Sequence, residues 1–224
     1  MGPVGDAYHG VRVRVTDLVS VAGDDALEQV APATPDWTVK DNLAHLAGVT
    51  ADIVNGNLDG VGTERWADAQ VEARRDAGVA AILAEWDTCA STVESMADHL
   101  GRSGAQLVTD AATHEHDIRG AMARPGARDS DAVQIAFDFV GTVLGDEFDA
   151  AGRTALLVEH DAGTSTFGNG DETVTLRITR FEFLRASTGR RCPEQIAAYD
   201  WAGETPSVNL VLARFTARAD PLEE

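Results

Sequence analysis

VTDAATHEHDIRGAMA, Val108–Ala123, is the stretch on which the reading of the fold turns, because it gathers two of the chain's six histidines with three carboxylates. At helical period Asp110 and His114 stand at i and i+4, so both project from one face, one turn apart. A carboxylate and an imidazole so placed can reach one divalent ion, and at least one further protein ligand must come from elsewhere. His45 is the candidate. It lies in WTVKDNLAHLAG, Trp37–Gly48, where Val39, Leu43 and Leu46 form an apolar stripe at roughly helical spacing that faces His45 toward the same interior. Taken singly, these residues also have plainer readings. His45 fits a hydrogen-bonded core histidine, and Asp110 with His114 fits an exposed helical pair worth about a few tenths of a kcal/mol.

Outward from that segment, helical periodicity recurs. Apolar residues from about Val11 to Val30 predict a helix interrupted near Gly23, and APATPD, residues 31–36, stops it with two prolines. Thr38 followed by Asp41 has the spacing of a capping box and opens a second helix running to about Asn57. NGNLDGVGT, residues 55–63, reads as a loop. After Trp66 a long periodic segment continues through Val79, Ile82, Trp86, Val93 and Met96 to Leu100, and the Asp110 helix ends near Ala123, before Pro125 and Gly126. Four helices with short connections predict an up-and-down bundle, and such bundles build metal sites from facing helices.

Beyond Gly126 the pattern changes. Asp131–Ala150 predicts a further helix, and TALLVEHDAG and TVTLRIT read as strands joined by a turn at FGNGD. RFEFLRASTGRR reads as a short helix, and SVNLVLARF fits either strand or helix. The expected architecture is α+β: a helical bundle over residues 1–126 followed by a smaller α+β domain over 127–224.

The chain has 224 residues, 44% of them apolar, enough to bury a sizeable core. Eighteen basic against 37 acidic residues give a net charge of −19, which argues against nucleic-acid or anionic-membrane partners, since phosphate binding needs clustered cations. Cys89 and Cys192 are far apart and outside any CxxC spacing, so neither a disulfide framework nor a zinc ribbon is expected. The opening residues lack a basic head followed by an apolar run, no apolar stretch is long enough to span a bilayer, and Asp6 stands where a myristoylation signal needs Ser or Thr. A cytoplasmic monomer or homodimer is the expectation.

WTVKDNLAHLAG, then AQVEARRDAGVAAILAEWD, then DAATHEHDIRGAM, in that order and spacing, resemble the N-terminal domain of the mycothiol-dependent maleylpyruvate isomerase family, within the DinB-like metal-binding bundle superfamily. RFEFLRASTGRRCPEQIAAYDWAGE resembles that family's second domain. The resemblance implies a DinB-like four-helix bundle holding a divalent metal, usually zinc, with His45, Asp110 and His114 at the ligand positions. It places Asp110 where the family commonly has Glu, and Asp117 at a recurring position as a cap or a partner of the ligands. It also implies mycothiol as thiol cosubstrate, acting on a small electrophile by isomerisation or S-transfer. Arg190 and Arg191, closing STGRR, become candidates to bind a substrate carboxylate, with Arg190 preferred because it follows the matched Gly189; cations favoured at a helix C-terminus are the other reading. Two other functions fit the same residues: a small-molecule-binding or regulatory protein without chemistry, and a metal-dependent hydrolase that uses water in place of the thiol.

Overall fold

The computed structural model describes residues 1–170, 173–202 and 210–224. Its chain divides into two compact units, Met1–Gly126 and Ala127–Glu224.

The first unit contains helices α1 (Pro3–Ser20), α2 (Asp24–Leu27), α3 (Val39–Asn55), α4 (Glu64–Ala73), α5 (Val79–Met96) and α6 (Arg102–Ala121), a 3₁₀ turn at Ala97–Leu100, and strands β1 (Val30–Ala31) and β2 (Thr34–Thr38). Pro3 starts α1 where its missing N–H costs nothing, and the carboxylate of Asp98 accepts the backbone N–H groups of Gly2, Val4 and Gly5 at 2.9, 3.0 and 3.2 Å. The helix therefore begins eight residues before the expected Val11. It also stops ten residues earlier, at Ser20, with Gly23 capping the separate turn of α2.

The proline-rich APATPD does more than end a helix. It closes an antiparallel hairpin, with Val30 opposite Thr38 and Ala31 opposite Thr34. Thr38 then caps α3 as expected: its hydroxyl accepts the Asp41 N–H at 3.1 Å, and the Asp41 carboxylate accepts the Thr38 N–H at 2.9 Å. Gly56, at φ 71°, terminates the helix in the left-handed region. The long segment after Trp66 is two helices, α4 and α5, because Gly78 breaks the pattern and becomes the N-cap of the second.

Helices α1, α3, α5 and α6 form the four-helix core. α1 packs on α5 and α6, and α3 packs on the same two. The first two long helices thus lie across the diagonal, a different order from the simple up-and-down expectation, in which successive helices are neighbours. Tyr8, Val11, Val15, Leu43, Leu46, Ile82, Trp86, Val108 and Ile118 fill the interior, each side chain contributing on the order of 1.5–3 kcal/mol by leaving water. A Cβ on Gly5 would lie 2.1 Å from the Glu94 carbonyl oxygen, so α1 and α5 approach this closely only with glycine there. The Tyr8 hydroxyl bonds Thr50 Oγ1 at 2.6 Å and accepts Trp86 Nε1–H at 3.1 Å; burial pushes its pKa up to about 12 and keeps it a neutral phenol.

The second unit contains α7 (Asp131–Ala150), β3 (Ala155–His160), β4 (Gly163–Phe167), β5 (Thr173–Arg177), α8 (Arg180–Ser187), α9 (Pro193–Ala197) and β6 (Asp200–Ala202). The sheet order is β4-β3-β5-β6. The two strands expected to form a hairpin, β3 and β5, instead pair in parallel, and the polar segment Gly163–Phe167 supplies a strand between them in sequence that pairs antiparallel on the far side of β3. Asp171, last residue of the predicted turn, lies outside the described residues, as do residues 207–209 of SVNLVLARF; from Leu210 to Phe215 the chain is neither helix nor strand. Phe137 of α7, Phe167 of β4 and Phe183 of α8 meet at centroid distances of 5.1–5.7 Å in the core of this unit.

At the turn after β3, Asp161 accepts the backbone N–H of Arg180 at 2.8 Å and its Nε–H at 3.0 Å, and the arginine holds the carboxyl at about 2. A depressed carboxyl contributes stability above its unfolded value of about 3.9 and loses it as pH falls through the folded value. Asp161→Asn is therefore expected to flatten the acid limb of stability between about pH 4 and pH 2, relative to the native chain, in urea unfolding. Parallel pH profiles for the two proteins would remove this linkage.

Candidate metal centre

His45 comes from the middle of α3, and Asp110 and His114 come from α6, which packs against it. Asp110 Oδ2 lies 3.4 Å from His45 Nε2, and Asp110 Oδ1 lies 3.8 Å from His114 Nε2. One ligand atom from each of the three lies within 4.8 Å of the others. A tetrahedral ion with bonds of 2.0–2.1 Å separates its ligand atoms by about 3.3 Å, so the group must draw in from spacings of up to 4.8 Å to hold one. The shorter Asp side chain still bridges the two histidines. Among the described residues no other group of His, Cys, Asp and Glu is arranged in this way.

Which histidine nitrogen carries the proton follows from the neighbours. Asn42 donates its amide N–H groups to Thr34 Oγ1 at 3.0 Å and to the Thr38 carbonyl at 2.9 Å, which leaves Oδ1 as the acceptor facing His114 Nδ1 at 2.9 Å. Asp117, fully buried, offers a second acceptor to the same nitrogen at 3.1 Å. Nδ1 is thus the protonated nitrogen, and the Nε2 lone pair points toward Asp110 and His45. Burial pushes the His114 imidazole below its ordinary pKa, against the opposing pull of its bond to Asp117, and so favours the neutral form a metal requires.

His45 is 3% exposed, and neither ring nitrogen makes a hydrogen bond among the described residues. A buried imidazole left this way costs free energy, since such groups are nearly always satisfied. Its Nε2, turned toward Asp110, is the orphaned atom that a metal would satisfy. The three donors, two imidazole nitrogens and one carboxylate, are of the kinds that hold a divalent metal ion.

Trp37, on β2, stands beside both rings, 5.0 Å from His45 and 5.6 Å from His114 by centroid, and the two imidazoles meet edge to face at 4.7 Å. Neither Trp37 nor Asn42 carries a sequence signal of this role beyond standing eight and three residues before His45. His116, two residues after His114, is 3% exposed, because α6 is covered on all sides from Ala111 to Ile118, and it stands outside the three-residue group. Arg191 is also buried, and is held by Glu182 at 2.8 and 2.9 Å and by Glu224 at 3.4 Å. Arg190 lies in the turn that ends α8: Gly189 takes φ 79°, the Arg190 N–H returns to the Arg185 carbonyl at 2.8 Å, and Arg190 Nη1 donates to the Thr188 carbonyl at 2.7 Å.

No protein-family model matches the sequence, and no curated protein matches it. Two solved structures do match in three dimensions. One is a histidine-to-alanine mutant of the mycothiol-dependent maleylpyruvate isomerase, with a TM-score of 0.59, and the other is the mycothiol-dependent maleylpyruvate isomerase itself, at 0.54. Each comparison covers 85% of this chain and 90% of that chain at 8% identity. The fold is that of maleylpyruvate isomerase. The match is longer than either unit alone, so the maleylpyruvate isomerase fold accounts for the α+β character of the chain as well as for its bundle. At this identity it is the architecture that is shared.

Proposed function

We propose that the protein is a metal-dependent enzyme that activates a small thiol, mycothiol, for isomerisation or S-transfer on a small electrophile. The observation that carries this reading is the convergence of His45, Asp110 and His114 with a lone pair of His114 aimed inward, in a fold otherwise seen in a mycothiol-dependent isomerase. A zinc ion at this site would lower the pKa of a bound thiol so that a thiolate is present at neutral pH.

The remaining work falls to the chain. Asn42 and Asp117 hold the His114 ring in one orientation and one tautomer, so its Nε2 needs no reorganisation to act as a ligand. Asp110 brings the single negative charge of the donor set, which leaves a divalent ion with net positive charge at the site. Trp37 covers one side of both imidazoles and excludes water there. Arg190 is assigned the substrate carboxylate, on the strength of the STGRR motif and the bidentate match of guanidinium to carboxylate.

The partners of this reading are a small substrate and a small thiol. No helix among the described residues is long and apolar enough to cross a membrane. The two free cysteines suit a reducing compartment, and we place the protein in the cytoplasm.

The test is turnover of maleylpyruvate, the substrate in the name of the structural neighbour, and of other small electrophiles, with and without mycothiol. Thiol-dependent turnover is expected; turnover in water alone would replace the reading with hydrolysis, and the absence of both would leave a binding protein. Arg190→Ala is expected to raise KM for a carboxylate substrate with metal content unchanged. Equal kinetics on acidic and neutral substrates in both proteins would discard the role of Arg190.

A further inference from the structure

A cavity of about 480 Å³ lies at the C-terminal ends of α1 and α6, lined in part by Arg14, Arg119 and Arg124, by Asp17, and by the apolar Leu18, Val21 and Met122. Three of the 18 basic side chains of a strongly acidic chain line this one cavity. Behind two of them sits Glu115, whose side chain is 1% exposed. Its oxygens accept Nε–H and Nη2–H of Arg14 at 2.8 and 2.7 Å, and Oε1 also accepts Arg119 Nε–H at 2.9 Å. Arg119 is tied further by Nη1 to the Arg124 carbonyl at 3.2 Å. One buried carboxylate thus fixes two guanidiniums in place, and Arg124, exposed, makes no ion pair among the described residues.

Against the three arginines stand Glu115 and Asp17, which leaves one positive charge in excess. That charge, beside an apolar wall with Val21 83% exposed, matches a singly charged anion on an apolar body. A phosphate dianion would overcompensate the charge, meet Asp17, and leave the apolar side unused. The cavity is also distinct from the metal centre. Glu115 follows His114 by one residue and is therefore turned about 100° around the helix, toward Arg14 of α1, whereas His114 faces Asn42 of α3.

We propose that this cavity is a second ligand site of the protein, one that takes a small organic monocarboxylate. Arg124, with no carboxylate of its own, receives the ligand carboxylate beside Arg14 and Arg119, which cost little reorganisation because Glu115 has already ordered them, and the apolar residues receive the body.

The probe is hexanoate, titrated calorimetrically into the full chain beside inorganic phosphate. Saturable binding at one per chain is expected, weakened about tenfold or more in Arg124→Gln, as for loss of a charge-assisted contact, and retained in His45→Ala. Arg124 is exposed and outside the Glu115 cluster, so that variant keeps the fold. The lack of saturable hexanoate binding at millimolar concentration, or equal binding by Arg124→Gln, overturns the site. Loss of hexanoate binding in His45→Ala reassigns it to the metal centre and equally overturns the proposal, and phosphate binding as tightly as hexanoate overturns the assigned ligand class.

Discussion

Glu115→Ala is expected to destabilise the first unit by about 3 kcal/mol, the lower end of the range for deleting one partner of a buried ion pair. The native carboxylate is the shared acceptor of Arg14 and Arg119, and its removal leaves two guanidiniums at a site built around it. The lower end applies because the Arg14 side chain is 29% exposed and can turn to water, whereas that of Arg119 is 12% exposed. Glu115→Gln keeps one acceptor oxygen and the volume, so its loss is expected to be smaller. Urea unfolding with matched slopes measures both. A loss below about 0.5 kcal/mol in Glu115→Ala, the level of an ordinary surface substitution, would contradict the role given to this carboxylate.

His114→Ala is expected to abolish metal binding while the far-ultraviolet circular dichroism of the helices is retained. Its Nε2 is one of three donors, and losing one from a three-residue set leaves an i-to-opposite-helix pair that holds an ion poorly. Asp117→Ala gives the graded counterpart. It leaves all three donors in place but removes one anchor of the His114 ring, and metal affinity should fall by about 10–100-fold, the usual cost of losing a group behind a ligand. Stoichiometric metal in His114→Ala would remove this histidine from the ligand set; unaltered affinity in Asp117→Ala would show that Asn42 alone orients it.

What could be read from the sequence was local. The capping box at Thr38 lies within four residues and was legible because both partners are close along the chain. The i,i+4 spacing of Asp110 and His114, and the apolar stripe around His45, were legible for the same reason. The β1–β2 hairpin was not, since prolines at 32 and 35 suggest only an interruption and the pairing itself involves few residues. Strand β4 escaped because GTSTF is polar and mostly exposed, and the parallel pairing of β3 with β5 is a long-range choice that no turn signal encodes. At the metal centre, Asn42 meets His114 across 72 positions, and on the other flank of α6 Arg14 meets Glu115 across 101. Such partners exist only once α3, α1 and α6 have packed.

The metal centre is the claim on which the functional reading stands, and the direct measurement is metal content per chain. Protein purified without chelator or added metal, analysed by elemental analysis beside Asp110→Ala, should hold close to one zinc-like ion per chain, lost in the variant. No metal in either protein, or equal metal in both, would contradict the site formed by His45, Asp110 and His114.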